Sequence, residues 1–310
     1  MRFTIFQDSA IGARAINQDR MGYCFTSESL LMLVADGMGG HPRGEVAAQV
    51  ALQVCAERFR QQATPRLHEP KQFLEAALIA AHNELAAYQQ AHDLPDAPRT
   101  TVVACVLQDE CVWWAHAGDS RLYWLRDNRV LARTRDHSKV GMLVALGALA
   151  VEDEAMHPER NKVLNCLGSP RPPSIEIALG APLKRGDILL LCTDGVWSGA
   201  GDDELVESFR VHTVPAAVPE IVARSVARNG RHADNATALA LRWEGGDDED
   251  VPSLSALGAE GSGLTSTIAV PASTDSLVDA ALTDEEIERQ IAEIREAIEK
   301  TQPVRHGEPR

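Results

Sequence analysis

Four aspartates stand where strands meet turns, each beside glycine or another small or polar residue, and Asp19 is a fifth. They are Asp19 in GARAINQD (Gly12–Asp19), Asp36 in VADGMGGH (Val34–His41), Asp119 in AGDSR (Ala117–Arg121), Asp194 in CTDGVW (Cys192–Trp197) and Asp234 in ADNAT (Ala233–Thr237). A single Asp-Gly after a strand is ordinarily a turn. Several of them, each closing an apolar run, point instead to a carboxylate cluster. Oxygen donors of this kind suit hard cations such as magnesium or manganese rather than zinc.

The elements that must carry these residues read as a dense alternation of strands and helices over residues 1–243. The N-terminus has the character of a strand. Leu30 to Ala35 is a continuous apolar run that breaks at Asp36-Gly37, the pattern of a buried strand ending in a loop. Helices are expected over Gly44–Gln62, with Val46, Val50, Val54 and Phe59 near one face, and over Pro70–Ala91, with Phe73, Ala77, Ala80 and Leu85 inward. Strands follow at Thr101–Leu107, Cys111–Ala117, Arg121–Leu125 and Val130–Arg133, the last two flanking Asp127-Asn128, a turn pair that tolerates positive φ. Helical signals return at Lys139–Leu146 and Glu152–His157, then strands at Ser174–Leu179 and Ile188–Cys192. Helices at Asp202–Phe209 and Pro215–Arg228 and a strand at Ala236–Trp243 complete the pattern. Sheets packed together with helices outside them are the expected architecture.

The net charge of −15 is unevenly placed. Glu244–Arg310 holds 16 acidic and 5 basic residues, against 29 and 25 in the preceding 243. Acidity of this sort argues against nucleic acid as a partner. The longest apolar stretch, Gly141 to Val151, falls well short of the ~20 residues that span a bilayer, so no membrane role is expected. Six scattered cysteines with no Cys-x-x-Cys pair read as reduced core thiols, and a soluble cytoplasmic protein is the expectation. Residues 244–281 read as an acidic Gly/Ser/Pro-rich linker. Residues 282–302 read as an amphipathic helix, opened by a Thr283…Glu286 capping box and striped by Ile287, Ile291, Ile294 and Ile298. Docking on a partner and self-association both remain open for that helix.

Taken in order, the motifs resemble those of the PPM (PP2C-type) metal-dependent serine/threonine protein phosphatases of bacterial type. Gly-x-x-Arg-x-x-Asn-x-Asp is followed by Asp-Gly-Met-Gly-Gly-His, Gly-Asp-Ser-Arg, Asp-His-Ser, His-Pro-x-Arg-Asn, Thr-Asp-Gly and Asp-Asn-x-Thr, over about residues 4–242. The resemblance implies an α+β fold, a four-layer α-β-β-α sandwich of two antiparallel sheets flanked by helices, with a catalytic domain over residues 1–243. It implies two manganese or magnesium ions, with a third site in bacterial relatives. By the same resemblance Asp36 bridges two metals, the Gly37 carbonyl binds one, and Asp194 and Asp234 complete the other. Asp19 holds metal-bound water, and Asp119 with Asp194 matches the third site. Arg14 grips the substrate phosphate, its planar fork suiting two oxygens, and His41 supplies the acid for the leaving oxygen.

The implied reaction is attack on phosphorus by a hydroxide bridging two metals about 3.5–4 Å apart, with no phosphoenzyme. Phosphoproteins are the implied substrates and a serine/threonine kinase the implied counterpart. Two other readings share the fold: a phosphoprotein-binding scaffold without turnover, and a metal phosphohydrolase for small molecules. His116 and His157 read as structural, and Asp136 and His137 as shaping the start of a flap over about Ser138–Gly168. The chain departs from the family pattern at Gln18, where glutamate is commoner, at Arg99, and at Asn165-Cys166.

Overall fold

The computed structural model describes residues 1–39, 43–150, 157–159, 162–178, 180–245 and 264–266. The chain divides into two units, Met1–Ala269 and Val270–Arg310, the second lying outside the described residues. So do His41 and the expected tail helix, together with most of the segments read as the linker and as the helix ending at His157.

Alternation along four strands sets the layers. On β3 (Ser29–Gly37), Leu30, Met32 and Val34 face one core, while Leu31, Leu33 and Ala35 face another. On β4 (Thr100–Gln108) the same split separates Val103, Cys105 and Leu107 from Val102, Ala104 and Val106. β10 (Ile188–Cys192) and β11 (Ala236–Gly245) divide likewise, with Leu189, Leu191, Leu239 and Leu241 on the shared side. Strands buried on both faces read as continuous apolar runs, and a one-residue slip in register would exchange the two faces.

The shared core therefore lies between two antiparallel sheets. One has the order β1 (Arg2–Ala10), β11, β10, β6 (Arg121–Arg126), β7 (Arg129–Arg133). The other runs β12 (Leu264–Ser266), β2 (Asp19–Phe25), β3, β4, β5 (Cys111–Ala117), β8 (Glu176–Ile177), with β9 (Ala181–Pro182) also on β5. Helices α1 (Gly44–Gln62) and α2 (Pro70–Ala91) cover the second sheet. The first is covered by α4 (Asp194–Trp197), α5 (Asp202–Val211) and α6 (Val214–Asn229). A short α3 (Lys139–Ala145) begins on Ser138, whose Oγ accepts from the Gly141 N–H at 2.9 Å. Asp127 and Asn128 turn the β6–β7 hairpin at φ 51° and 55°, as their types allow.

Several expectations change. β3 does not end before Asp36-Gly37 but runs through both, because Asp36 and Gly37 remain paired with Thr101 and Thr100. The buried face of α1 is Ala47, Ala48, Ala51, Leu52, Cys55, Ala56 and Phe59, with Val50 and Val54 at its margin. Small side chains on that face let the helix lie close against the sheet. On α2, Leu74, Leu78 and Ala81 join Phe73, Ala77 and Leu85 inward, and Ala80 is half-buried. β2 and α4 are additional elements. The strand expected at Ser174–Leu179 shortens to Glu176–Ile177. Within the segment read as linker, Leu264–Ser266 pairs antiparallel with β2.

Candidate active site

Strand parity brings the first two aspartates together. Asp36 shares the parity of Leu30, Met32 and Val34, and Asp19 that of Met21, so both project between the sheets at one end of the sandwich. They are register partners across β2 and β3. Asp194 opens α4 just beyond β10, and Asp234 lies just before β11, the strand beside β10. Asp119 sits in the turn between β5 and β6.

Close backbone approaches hold these turns together. A Cβ on Gly37 would stand 2.2 Å from the Gly44 carbonyl oxygen, so the end of β3 and the start of α1 can meet only through glycine. Gly12, at φ 62°, would likewise place a Cβ 2.2 Å from the Asp234 carbonyl oxygen. The loop bearing Arg14 is thereby laid against the loop bearing Asp234, and the Ala13 N–H donates to the Ala233 carbonyl at 2.9 Å. Asn235 stitches the same two loops. Its Nδ2 donates to the Ile11 and Ile16 carbonyls at 2.9 and 3.1 Å, and its Oδ1 accepts the Gln18 N–H at 2.8 Å.

The Asp119 turn is fixed from three sides. Trp197 Nε1 donates to the Asp119 carbonyl at 2.9 Å, and the Thr101 and Ser120 hydroxyls lie 2.7 Å apart. Arg121 forms a buried two-point pair with Asp136, at 2.8 and 2.7 Å, and its guanidinium lies 3.8 Å from the Trp197 ring centre. Asp136 is thus a structural anchor at the start of the flap.

Carboxylates so crowded raise one another's pKa. Burial drives Asp36 well above the ordinary range, and Asp19, Asp194, Asp119 and Asp234 add their repulsion. Asp194 moves the same way through burial and repulsion from Asp119, Asp234 and Asp19, with Arg14 opposing. Asp119 is pushed up to about 7 by burial and then by Asp136. Burial raises Asp19 to about 6 against the Thr193 hydroxyl, which donates to its Oδ2 at 2.8 Å. Its other oxygen, Oδ1, is buried without a hydrogen-bond partner.

An unpartnered buried carboxylate oxygen amid mutually repelling carboxylates fits a divalent cation, as does the all-oxygen donor set. Arg14 meets this cluster through Asp234, Nη2 to Oδ2 at 2.6 Å, and the other Asp234 oxygen accepts the Asn235 N–H at 2.8 Å. The carboxylate of Asp234 is therefore turned toward Arg14 and its own loop. Gln18 donates to Glu45 at 3.1 Å. Asn235, Thr193, Trp197 and Arg121 brace the site without standing out as supports in the sequence. For Asn235, the Asp-Asn-x-Thr string was the available signal.

Residues 6–230 match the family model described as Protein phosphatase 2C. The chain belongs to the protein phosphatase 2C family. It is a protein serine/threonine phosphatase. It is 30% identical over 181 residues to the serine/threonine phosphatase stp of Listeria monocytogenes serotype 4b, covering 58% of this chain and 71% of that one. With the serine/threonine protein phosphatase PstP of Mycobacterium tuberculosis it shares 28% identity over 240 residues, 77% of this chain and 44% of the relative's length. Among solved structures, the PstP/Ppp phosphatase of M. tuberculosis superposes with a TM-score of 0.68 at 26% identity, covering 79% of this chain and all of that one. A structure of the PstP catalytic domain in complex with two manganese ions matches with a TM-score of 0.65 at 25% identity, over 77% and 97% of the two chains.

Proposed function

We propose that this phosphatase hydrolyses phosphoserine and phosphothreonine in proteins using two manganese or magnesium ions, with a third site at Asp119, and so reverses the action of a serine/threonine kinase. The observation that carries the reading is the convergence of Asp19, Asp36, Asp119, Asp194 and Asp234 on one end of the sandwich, strong enough for each to perturb Asp36.

Asp36, the Gly37 carbonyl, Asp194 and Asp234 would hold the ions directly, and Asp19 would position water through its unpartnered Oδ1. When bound, the ions lower the pKa of water toward neutrality and withdraw charge from the phosphoryl oxygens. Arg14 is exposed on its outer side, and its side chain pairs with Asp234. Exchanging that carboxylate oxygen for two phosphoryl oxygens would orient the substrate phosphorus for in-line attack. His41 would donate a proton to the departing seryl or threonyl oxygen. No covalent intermediate is needed, and five of the six free cysteines are buried, where a thiolate nucleophile would be of no use.

Manganese-dependent hydrolysis of a phosphothreonine peptide tests the reading. Asp36→Asn should abolish turnover while the protein stays folded. Undiminished turnover in that variant, or in excess chelator, would refute the mechanism.

A further inference from the structure

Outside the aspartate cluster, His116, His137 and Glu176 come together at the β5–β8 edge. Among the described residues they form the one trio of His, Cys, Asp or Glu whose ligand atoms all lie within 4.8 Å of one another. His116 and Glu176 are register partners on β5 and β8. The His137 ring stacks on His116, with centroids 4.5 Å apart and planes at 23°. Its Nε2 stands 3.4 Å from Glu176 Oε2.

The surroundings fix where each ring carries its proton. His116 Nε2 lies 2.8 Å from the Arg135 carbonyl oxygen, which only accepts, so Nε2 is the N–H and Nδ1 bears the lone pair. That Nδ1 is buried with no hydrogen-bond partner, on a residue 1% exposed. Burial also lowers the pKa of this ring, keeping the lone pair free at neutral pH. A bare imidazole nitrogen whose partner nitrogen is anchored to a carbonyl is arranged as metal-ligating histidines are. His137 is held differently. Its Nδ1 accepts from the Gly118 N–H at 3.3 Å and from Asn165 Nδ2 at 2.7 Å. The Asn165 amide cannot be reversed, because Nδ2 also donates to the Ser174 carbonyl at 2.8 Å and Oδ1 accepts the Ser174 N–H at 3.0 Å. His137 therefore carries its proton on Nε2, toward Glu176.

We propose that His116 Nδ1, His137 Nε2 and the Glu176 carboxylate form an inhibitory site for a borderline divalent cation of the zinc type. Two imidazoles and a carboxylate favour such an ion over magnesium or calcium. His137 becomes a ligand only when its proton passes from Nε2 to Nδ1 through water, with no net gain or loss. The new Nδ1–H then faces the Gly118 and Asn165 N–H donors, and both bonds are lost. Gly118 leads directly into Asp119, and the residue before Asn165, Leu164, donates its N–H to the His137 carbonyl at 2.7 Å. Occupancy thus removes one hydrogen bond beside the Asp119 turn and one at the base of the flap, while the His137 N–H bond to the Gly118 carbonyl at 2.9 Å carries any shift of His137 to that turn, inhibiting without contact to the aspartates. The inhibition, though not the binding, rests on the phosphatase mechanism proposed above.

The test titrates the manganese-loaded full chain with zinc chloride. It reads inhibition of phosphothreonine-peptide turnover relative to each variant's own rate, and zinc bound per chain by equilibrium dialysis. Excess manganese should not relieve the inhibition. Glu176→Ala should raise the half-inhibiting zinc concentration about tenfold or more and remove one bound zinc per chain. Asn165→Asp, which offers the displaced Nδ1–H an acceptor, should lower that concentration. Unchanged zinc binding in Glu176→Ala, or inhibition fully relieved by manganese, would overturn the proposal by assigning zinc to the aspartates. A chain inactive with manganese in which Glu176→Ala still removes one zinc would refute the phosphatase mechanism and support the site.

Discussion

Removing the Asp136 carboxylate should be among the most destabilising single changes to this fold. Arg121 and Asp136 are 4% and 3% exposed, and two parallel hydrogen bonds of 2.8 and 2.7 Å join them. Asp136→Ala removes both of these bonds from a guanidinium that lies buried against the Trp197 ring. The Tyr123 hydroxyl, which also meets Arg121 at 3.1 Å, is neutral and does not replace the carboxylate. Breaking one side of a buried pair costs about 3–5 kcal/mol. For a domain of this size that corresponds to a fall in Tm of about 6–20 °C, at roughly 2–4 °C per kcal/mol. Glu207→Ala, which removes a pair 51% and 56% exposed, should cost far less, because solvent screens such a pair. Urea unfolding of both variants, with the double variant Arg121→Met/Asp136→Leu, measures the difference. The double variant should recover most of the loss, because apolar residues of similar volume escape the desolvation cost. A loss for Asp136→Ala no larger than that for Glu207→Ala, or a double variant no more stable than the single, would refute the reasoning.

Gly37→Ala should destabilise by about 1–3 kcal/mol through overpacking against the Gly44 carbonyl and weaken manganese binding, both measurable by calorimetry. The pH dependence of the metal-free protein follows from the raised carboxyls. Asp19 at about 6 and Asp119 at about 7 bind protons more tightly folded than unfolded. Their neutral forms carry no penalty below about pH 4, and stability is lost as pH rises from there through the folded pKa values. Without metal, Tm should fall between pH 5 and pH 8, and the gain in Tm from manganese should grow over the same range; a gain independent of pH would contradict this. Truncation after Gly245 removes the acidic segment and the β12 pairing with β2 but no described site residue, so turnover of a generic phosphopeptide should persist. A collapse of that turnover would place the tail within the catalytic machinery.

Much of this molecule could be read locally. Apolar runs such as Leu30–Ala35 and Ile188–Cys192 mark strands because burial on both faces demands apolar side chains at every position. The Asp127-Asn128 hairpin is written in residues that tolerate positive φ. The order of the short motifs identified the family, and the aspartates within them are the ones that converge. β2 escaped notice because DRMGYCF contains charges and a glycine, and its strand conformation is secured by pairing with β3 on one side and β12 on the other. On α1 the valines mark only the margin of the buried face, because alanine, which close approach to a sheet favours, carries little hydrophobic signal.

Only the tertiary structure decided how the site is braced. Gln18 meets Asn235 across 217 residues of sequence and Thr193 meets Asp19 across 174. Arg14 rests on Asp234, and His116 comes together with His137 and Glu176. The sequence by itself determined which chemical groups the chain possesses and the parity that aims Asp19 and Asp36 between the sheets. Which groups share a low-dielectric space, and which buried atoms lack partners, depends on registers between distant strands. Those registers are set by the packing of whole faces, and no local spacing records them.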